Sequence, residues 1–120
     1  MAFTLLVTGG ARSGKSTYAE TRTLALGQPA HYIATSEIWD EEMAARIAAH
    51  QARRGPEWVT RAEPLDLVTA LRETDDAPRL VDCLTLWLTN LMLGGHDWEA
   101  AAKRLLAVLP ELSAPVVFVT

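Results

Sequence analysis

Phe3-Thr4-Leu5-Leu6-Val7-Thr8-Gly9-Gly10-Ala11-Arg12-Ser13-Gly14-Lys15-Ser16 is the stretch that decides the fold. Phe3 to Val7 is a short apolar, partly β-branched run ended by Thr8-Gly9-Gly10, which predicts a buried strand entering a tight turn. Gly9 to Ser16 is a complete G-x-x-x-x-G-K-S, and the residues from about Gly14 to Leu26 favour helix, with Gly27 and Pro29 as the stop. Glycines let such a loop turn with positive φ and approach a ligand without a Cβ in the way. Backbone N–H groups and the positive end of the following helix then cradle phosphate oxygens. Lys15 places a compact charge on the β/γ-phosphates, and the Ser16 hydroxyl is suited to Mg²⁺. The loop predicts nucleoside triphosphate binding and leaves kinase, hydrolase, nucleotidyl transfer and plain binding open.

Working outward, His31 to Ala34 predicts a second strand and Asp40 to about Arg54 a second helix, capped by Asp40, with Glu41 and Glu42 against its positive end and Gly55-Pro56 as the stop. Trp58 to Thr60 reads as a short strand, Leu65 to Arg72 as a helix, and Thr74 to Pro78 as a polar loop. Leu80-Val81-Asp82 is a strand end, Leu84 to Leu93 an apolar helix, Trp98 to Leu109 another helix, and Val116 to Val119 a further strand. Strands alternating with helices predict an α/β fold of the P-loop NTPase type, a mostly parallel sheet with helices on both faces. Leu84 to Leu93 is apolar on most sides, so burial inside the domain is expected, with a subunit interface as the alternative.

The 120 residues are expected to form a single nucleotide-binding domain, residues 1–120, with enough chain to bury a core unaided. One cysteine, Cys83, precludes an internal disulfide, and no Cys/His cluster has zinc spacing, which suits the cytoplasm. The amino terminus lacks the features of an export signal. No apolar run reaches the ~18 residues of a membrane span, since Asp82, Thr85, Thr89 and Asn90 interrupt the richest stretch. With 11 Lys+Arg against 15 Asp+Glu the net charge is -4, and nucleic acid is not an expected partner despite the local positive spot of Arg46, Arg53 and Arg54.

Two further positions carry chemistry. Asp82, after an apolar strand, is the candidate acid for a Mg²⁺ ion shared with Ser16; its alternative role is a loop or N-cap residue for the helix that follows. His50 has Arg46, Ile47, Arg53 and Arg54 as its helical neighbours. Surrounding positive charge disfavours an imidazolium, leaving a ring with a free lone pair that can act as a nucleophile towards phosphorus. Met43, Ile47 and His50 also form an i, i+4, i+7 stripe, on which a histidine simply packs. His31 and His96 are expected to be structural or solvated.

Beyond the loop, the run Tyr32-Ile33-Ala34-Thr35-Ser36, the run Asp40 to Ile47 with His50, Trp58, Thr60, Glu63-Pro64, Asp82-Cys83-Leu84-Thr85, Thr89-Asn90-Leu91 and Val116 to Thr120 complete a pattern spanning nearly the whole chain. It resembles the bifunctional adenosylcobinamide kinase / adenosylcobinamide-phosphate guanylyltransferase family of cobalamin biosynthesis. The resemblance implies phosphorylation of adenosylcobinamide by ATP or GTP, then transfer of GMP from GTP to adenosylcobinamide phosphate through a guanylylated histidine, at the position of His50. It further implies nucleotide contacts from Gly9, Gly10, Ala11, Arg12, Ser13, Gly14, Lys15 and Ser16, from Thr35, Ser36 and Glu37, from Gln51, Ala52, Arg53 and Arg54, and from Glu63 and Asp82. It implies a homo-oligomer as well. Members continue past the strand at Val116 to Val119, so the chain is expected to be a fragment lacking part of the corrinoid site. The alternatives are a P-loop small-molecule kinase without a covalent histidine and a nucleotide-binding module without chemistry.

Overall fold

The computed structural model describes residues 3–10, 13–37 and 41–120, with His50 described in its backbone alone. In chain order the elements are β1 (Thr4–Val7), α1 (Lys15–Leu26), β2 (Ala30–Ala34), α2 (Glu41–Arg53), β3 (Trp58–Ala62), α3 (Leu67–Glu73), β4 (Arg79–Asp82), α4 (Leu84–Leu93), α5 (Trp98–Val108), a 3₁₀ turn (Leu109–Glu111) and β5 (Val116–Val119). The strands form one five-stranded sheet in the order β1-β5-β4-β2-β3, and every pairing is parallel. This is the expected α/β architecture.

All four residues of β5 are buried, as its place between β1 and β4 requires, whereas β1 at the sheet edge exposes Leu6. The pleat sends alternate side chains to opposite faces. Leu80, Val117, Val119 and Tyr32 join Ala19 and Leu24 of α1 in one core layer. Ile33, Val81 and Phe118 meet Leu71, Leu91 and Leu105 of α3, α4 and α5 in the other. Helices therefore cover both faces, and each fully buried Val or Ile contributes about 1.5–3 kcal/mol.

The predicted elements sit within a residue or two of the observed ones, with two informative shifts. The third helix starts at Leu67 rather than Leu65 because the Asp66 carboxylate accepts the Thr69 N–H and caps it. Helix α4 is buried along one side only: Trp87 and Leu91 enter the core, while Met92 and Leu93 are exposed. The expected cap at Asp40 lies outside the described residues. Among the described residues no helix is long and apolar enough to cross a membrane.

Candidate functional site

The glycine-rich turn has the backbone its sequence requires. Gly14 has φ 82 and ψ 10, the left-handed region that costs a residue with a Cβ about 1–2 kcal/mol. A Cβ on Gly9 would lie 2.7 Å from Ser13 Oγ. Gly14 opens α1 with no side-chain cap, so the orphan N–H groups of the first turn and the helix dipole face the loop. Lys15 Nζ reaches back across the turn and donates to the Gly9 carbonyl at 2.9 Å, and Ser16 is exposed on the first helical turn. Ala11 and Arg12 lie outside the described residues.

The sheet register brings Asp82 level with this turn. Val7 pairs with Val119, Val119 with Asp82, Asp82 with Ala34 and Ala34 with Ala62, a single row across the carboxyl ends of the five strands. Two strand spacings separate Val7 from Asp82, about 10 Å. Asp82 shares the α1 face of the sheet with Tyr32, whose hydroxyl donates a short hydrogen bond to Asp82 Oδ2. Burial, followed by the Asp82 charge and that hydrogen bond, pushes the Tyr32 hydroxyl far above its ordinary pKa, so it stays a donor. The cap alternative for Asp82 does not hold: the N-cap of α4 is Cys83, whose sulfur accepts the Leu86 N–H at 3.4 Å. Burial also pushes the Cys83 thiol up, and the nearby Lys15 ammonium partly offsets this.

Helix α2 closes the other side. Ile47, Gln51 and Arg54 line a cavity of about 240 Å³ with Ser36, Tyr32 and Asp82. Arg53 and Arg54 also line a cavity of about 390 Å³ with Ser16 and Thr17 of α1, so the end of α2 borders both the loop helix and the strand ends. The Arg54 guanidinium, grouped by the sequence with His50, stacks over the Tyr32 ring at 3.7 Å from its centroid, and its buried Nε has no partner among the described residues. His50 belongs to α2, one residue before Gln51; its side chain lies outside the described residues. Ala52 and Arg53 are exposed.

The remaining expected residues are engaged in holding loops. Thr35 is fully buried, and its hydroxyl accepts from the Cys83 N–H at 2.8 Å and donates to the Cys83 carbonyl at 2.9 Å. Glu63 Oε2 accepts the Leu65 and Asp66 N–H groups at 3.2 and 3.1 Å. Glu37 is half-buried beside Ser36. Asn90, which sequence reasoning did not place in the site, is buried and donates to the Thr35 carbonyl at 2.7 Å and the Pro64 carbonyl at 3.1 Å, tying together the loops after β2 and β3. Tyr32 was also missed, because its pairing with Asp82 depends on β2 lying beside β4, which no local pattern announces.

Mg²⁺ is the ion implied by the loop. The Ser16 hydroxyl and the Asp82 carboxylate are hard oxygen donors, on α1 and on the sheet face it covers, and suit that ion. Among the described residues no group of three or more His, Cys, Asp or Glu could hold a metal, so such an ion would depend on substrate phosphates and water as well.

Known proteins resemble the chain over nearly its whole length. Residues 5–120 match the family model described as cobinamide kinase / cobinamide phosphate guanyltransferase. The chain is similar to the bifunctional adenosylcobalamin biosynthesis protein CobP of Pseudomonas aeruginosa, 47% identical over 119 residues that cover 96% of this chain and 69% of the relative. It is 42% identical over 134 aligned residues to the bifunctional adenosylcobalamin biosynthesis protein CobU of Salmonella typhimurium, covering 97% of this chain and 73% of the relative. Against the protein of the same name from Escherichia coli it is 38% identical over 133 aligned residues, with the same coverage of 97% and 73%.

Proposed function

The chain belongs to the cobinamide kinase / cobinamide phosphate guanyltransferase family, and on that premise we propose that it is an enzyme of cobalamin biosynthesis with two activities at one nucleotide site. It phosphorylates the aminopropanol hydroxyl of adenosylcobinamide with ATP or GTP. It then transfers GMP from GTP to that phosphate through a guanylylated His50.

The uncapped first turn of α1 and the Lys15 ammonium hold the triphosphate by charge and by N–H donation. In the guanylyl step an imidazole nitrogen of His50 bonds to the α-phosphorus and the bond to pyrophosphate breaks. A phosphate oxygen of adenosylcobinamide phosphate then bonds to the same phosphorus, the N–P bond breaks and the ring returns to its starting state. Arg53 and Arg54, which line a cavity with Ser16, oppose the charge that accumulates on the phosphates. Ser16 and Asp82 would hold Mg²⁺, whose chemistry when bound is to neutralise phosphate charge.

The observation that carries this reading is the course of α2. Residues on either side of His50, namely Ile47, Gln51 and Arg54, border the cavity that contains Asp82, and the same helix end borders the turn that begins α1. GTP labelled at the α-phosphate tests it. The expected result is protein-bound label that is acid-labile, alkali-stable and absent from His50→Ala. No protein-bound α-label, with transfer from γ-labelled GTP intact, would overturn the guanylyl step and leave a simple kinase.

A further inference from the structure

Tyr32 belongs to no motif of the loop or of α2, yet it lines the cavity shared by Ile47 and Gln51 of α2 and Asp82 of β4. The residue is 7% exposed and its ring is held from two directions: the Trp58 ring meets it edge-on at 5.6 Å and 85°, and the Arg54 guanidinium lies over it at 3.7 Å. A ring clamped in this way has its hydroxyl fixed in space. That hydroxyl donates to Asp82 Oδ2, and among the described residues no other side chain bonds the Asp82 carboxylate. An unrestrained Asp at a strand end samples several rotamers, so the tyrosine selects one.

We propose that Tyr32 is a positioning residue that orients the Asp82 carboxylate for a divalent cation bound with the nucleotide, and that Arg54 couples the end of α2 to that orientation through the Tyr32 ring. The proposal rests on the reading of Asp82 as a metal-associated acid. Outer groups that orient a metal ligand typically contribute 10–100-fold in metal affinity. Tyr32→Phe keeps the ring, its contact with Trp58 and its stacking under Arg54, and removes only the donor.

The test is Mn²⁺ binding in the presence of GTP, followed by electron paramagnetic resonance, beside GTP binding measured in chelator without metal. Tyr32→Phe is expected to raise the Mn²⁺ dissociation constant on the order of 10–100-fold while leaving metal-free GTP affinity and the unfolding midpoint close to wild type. A merely structural tyrosine would lower the unfolding midpoint and weaken metal-free GTP binding along with Mn²⁺ binding. Asp82→Asn is the control that separates the two layers. If Asp82→Asn weakens Mn²⁺ binding and Tyr32→Phe does not, the positioning role is wrong and the metal reading of Asp82 stands. If Asp82→Asn leaves Mn²⁺ binding intact, or the wild-type chain binds no Mn²⁺ with GTP, the underlying site reading fails and the positioning role with it.

Discussion

Thr35 and Cys83 exchange two hydrogen bonds, the hydroxyl accepting from the Cys83 N–H at 2.8 Å and donating to its carbonyl at 2.9 Å, so the end of β2 is fastened to the residue that follows Asp82. A further backbone bond, Thr35 N–H to the Asp82 carbonyl at 3.0 Å, completes the join. Thr35→Val keeps the shape and removes the hydroxyl, leaving two backbone groups without their partner. The expected cost is about 1–3 kcal/mol of unfolding free energy, with Thr35→Ser close to wild type. Denaturant titration of the two variants measures this; equal losses for Val and Ser would mean that the hydroxyl is not what holds the join.

Lys15 behaves differently, because the hydrogen bond of its ammonium to the Gly9 carbonyl lies at the protein surface. Lys15→Met is expected to leave stability within about 0.5 kcal/mol of wild type, as for surface changes in general. Turnover with GTP should fall on the order of 10²–10³-fold, since the ammonium opposes charge on the transferring group. Gly14→Ala is expected to lose about 1–2 kcal/mol as well as nucleotide affinity, because φ 82 disfavours alanine. GTP turnover of Lys15→Met and calorimetric GTP binding by Gly14→Ala measure the two effects. Undiminished turnover in Lys15→Met would remove the lysine from the site.

Much of this architecture was legible in the sequence because apolar runs and turn residues alternate so regularly. Phe3 to Val7 before the glycines, and Val116 to Val119 after Pro115, announce strands from local pattern alone. Pairing was not legible. Nothing local says that β5 inserts between β1 and β4, which is what puts Asp82 two strands from the phosphate-loop strand. The same holds for Tyr32, whose role exists only in the β2–β4 register, and for Asn90, whose amide meets carbonyls 55 and 26 residues away. Arg79 is the sharpest case. It falls between the polar loop expected to end at Pro78 and the strand expected from Leu80, yet it opens β4 and is fully buried.

Arg79 is tolerated inside because both terminal nitrogens of its guanidinium are partnered, although its buried Nε has no partner among the described residues. It donates to the Leu71 carbonyl, to the Ala114 carbonyl at 2.7 Å and to Asp75 at 3.1 Å. Asp75 in turn accepts from the Ser113 and Ala114 N–H groups, pinning the approach to β5. Asp75→Ala strips the charge partner from a buried cation and is expected to cost about 3–5 kcal/mol. Urea unfolding measures it; a loss below about 1 kcal/mol would show that Arg79 is held by the carbonyls alone.

That pair also sets an acid limit. Burial raises the Asp75 carboxyl, but the N–H groups of Ala114 and Ser113 and the charge of Arg79 outweigh it and hold the group below its ordinary 3.8. A carboxyl whose pKa is lower folded than unfolded stabilises the protein fully above the unfolded value, and that stabilisation is lost as pH falls through the folded one. Asp76 is lowered too, first by its hydrogen bond with His31, and acts in the same direction at an exposed site. Unfolding free energy should therefore be level near pH 6 and decline as pH drops below about 4, the ordinary range for Asp. In Asp75→Asn the decline should be shallower, because one of the titrating groups is gone while the shape remains. Parallel curves for the two proteins between pH 6 and pH 2 would place the acid sensitivity elsewhere in the chain.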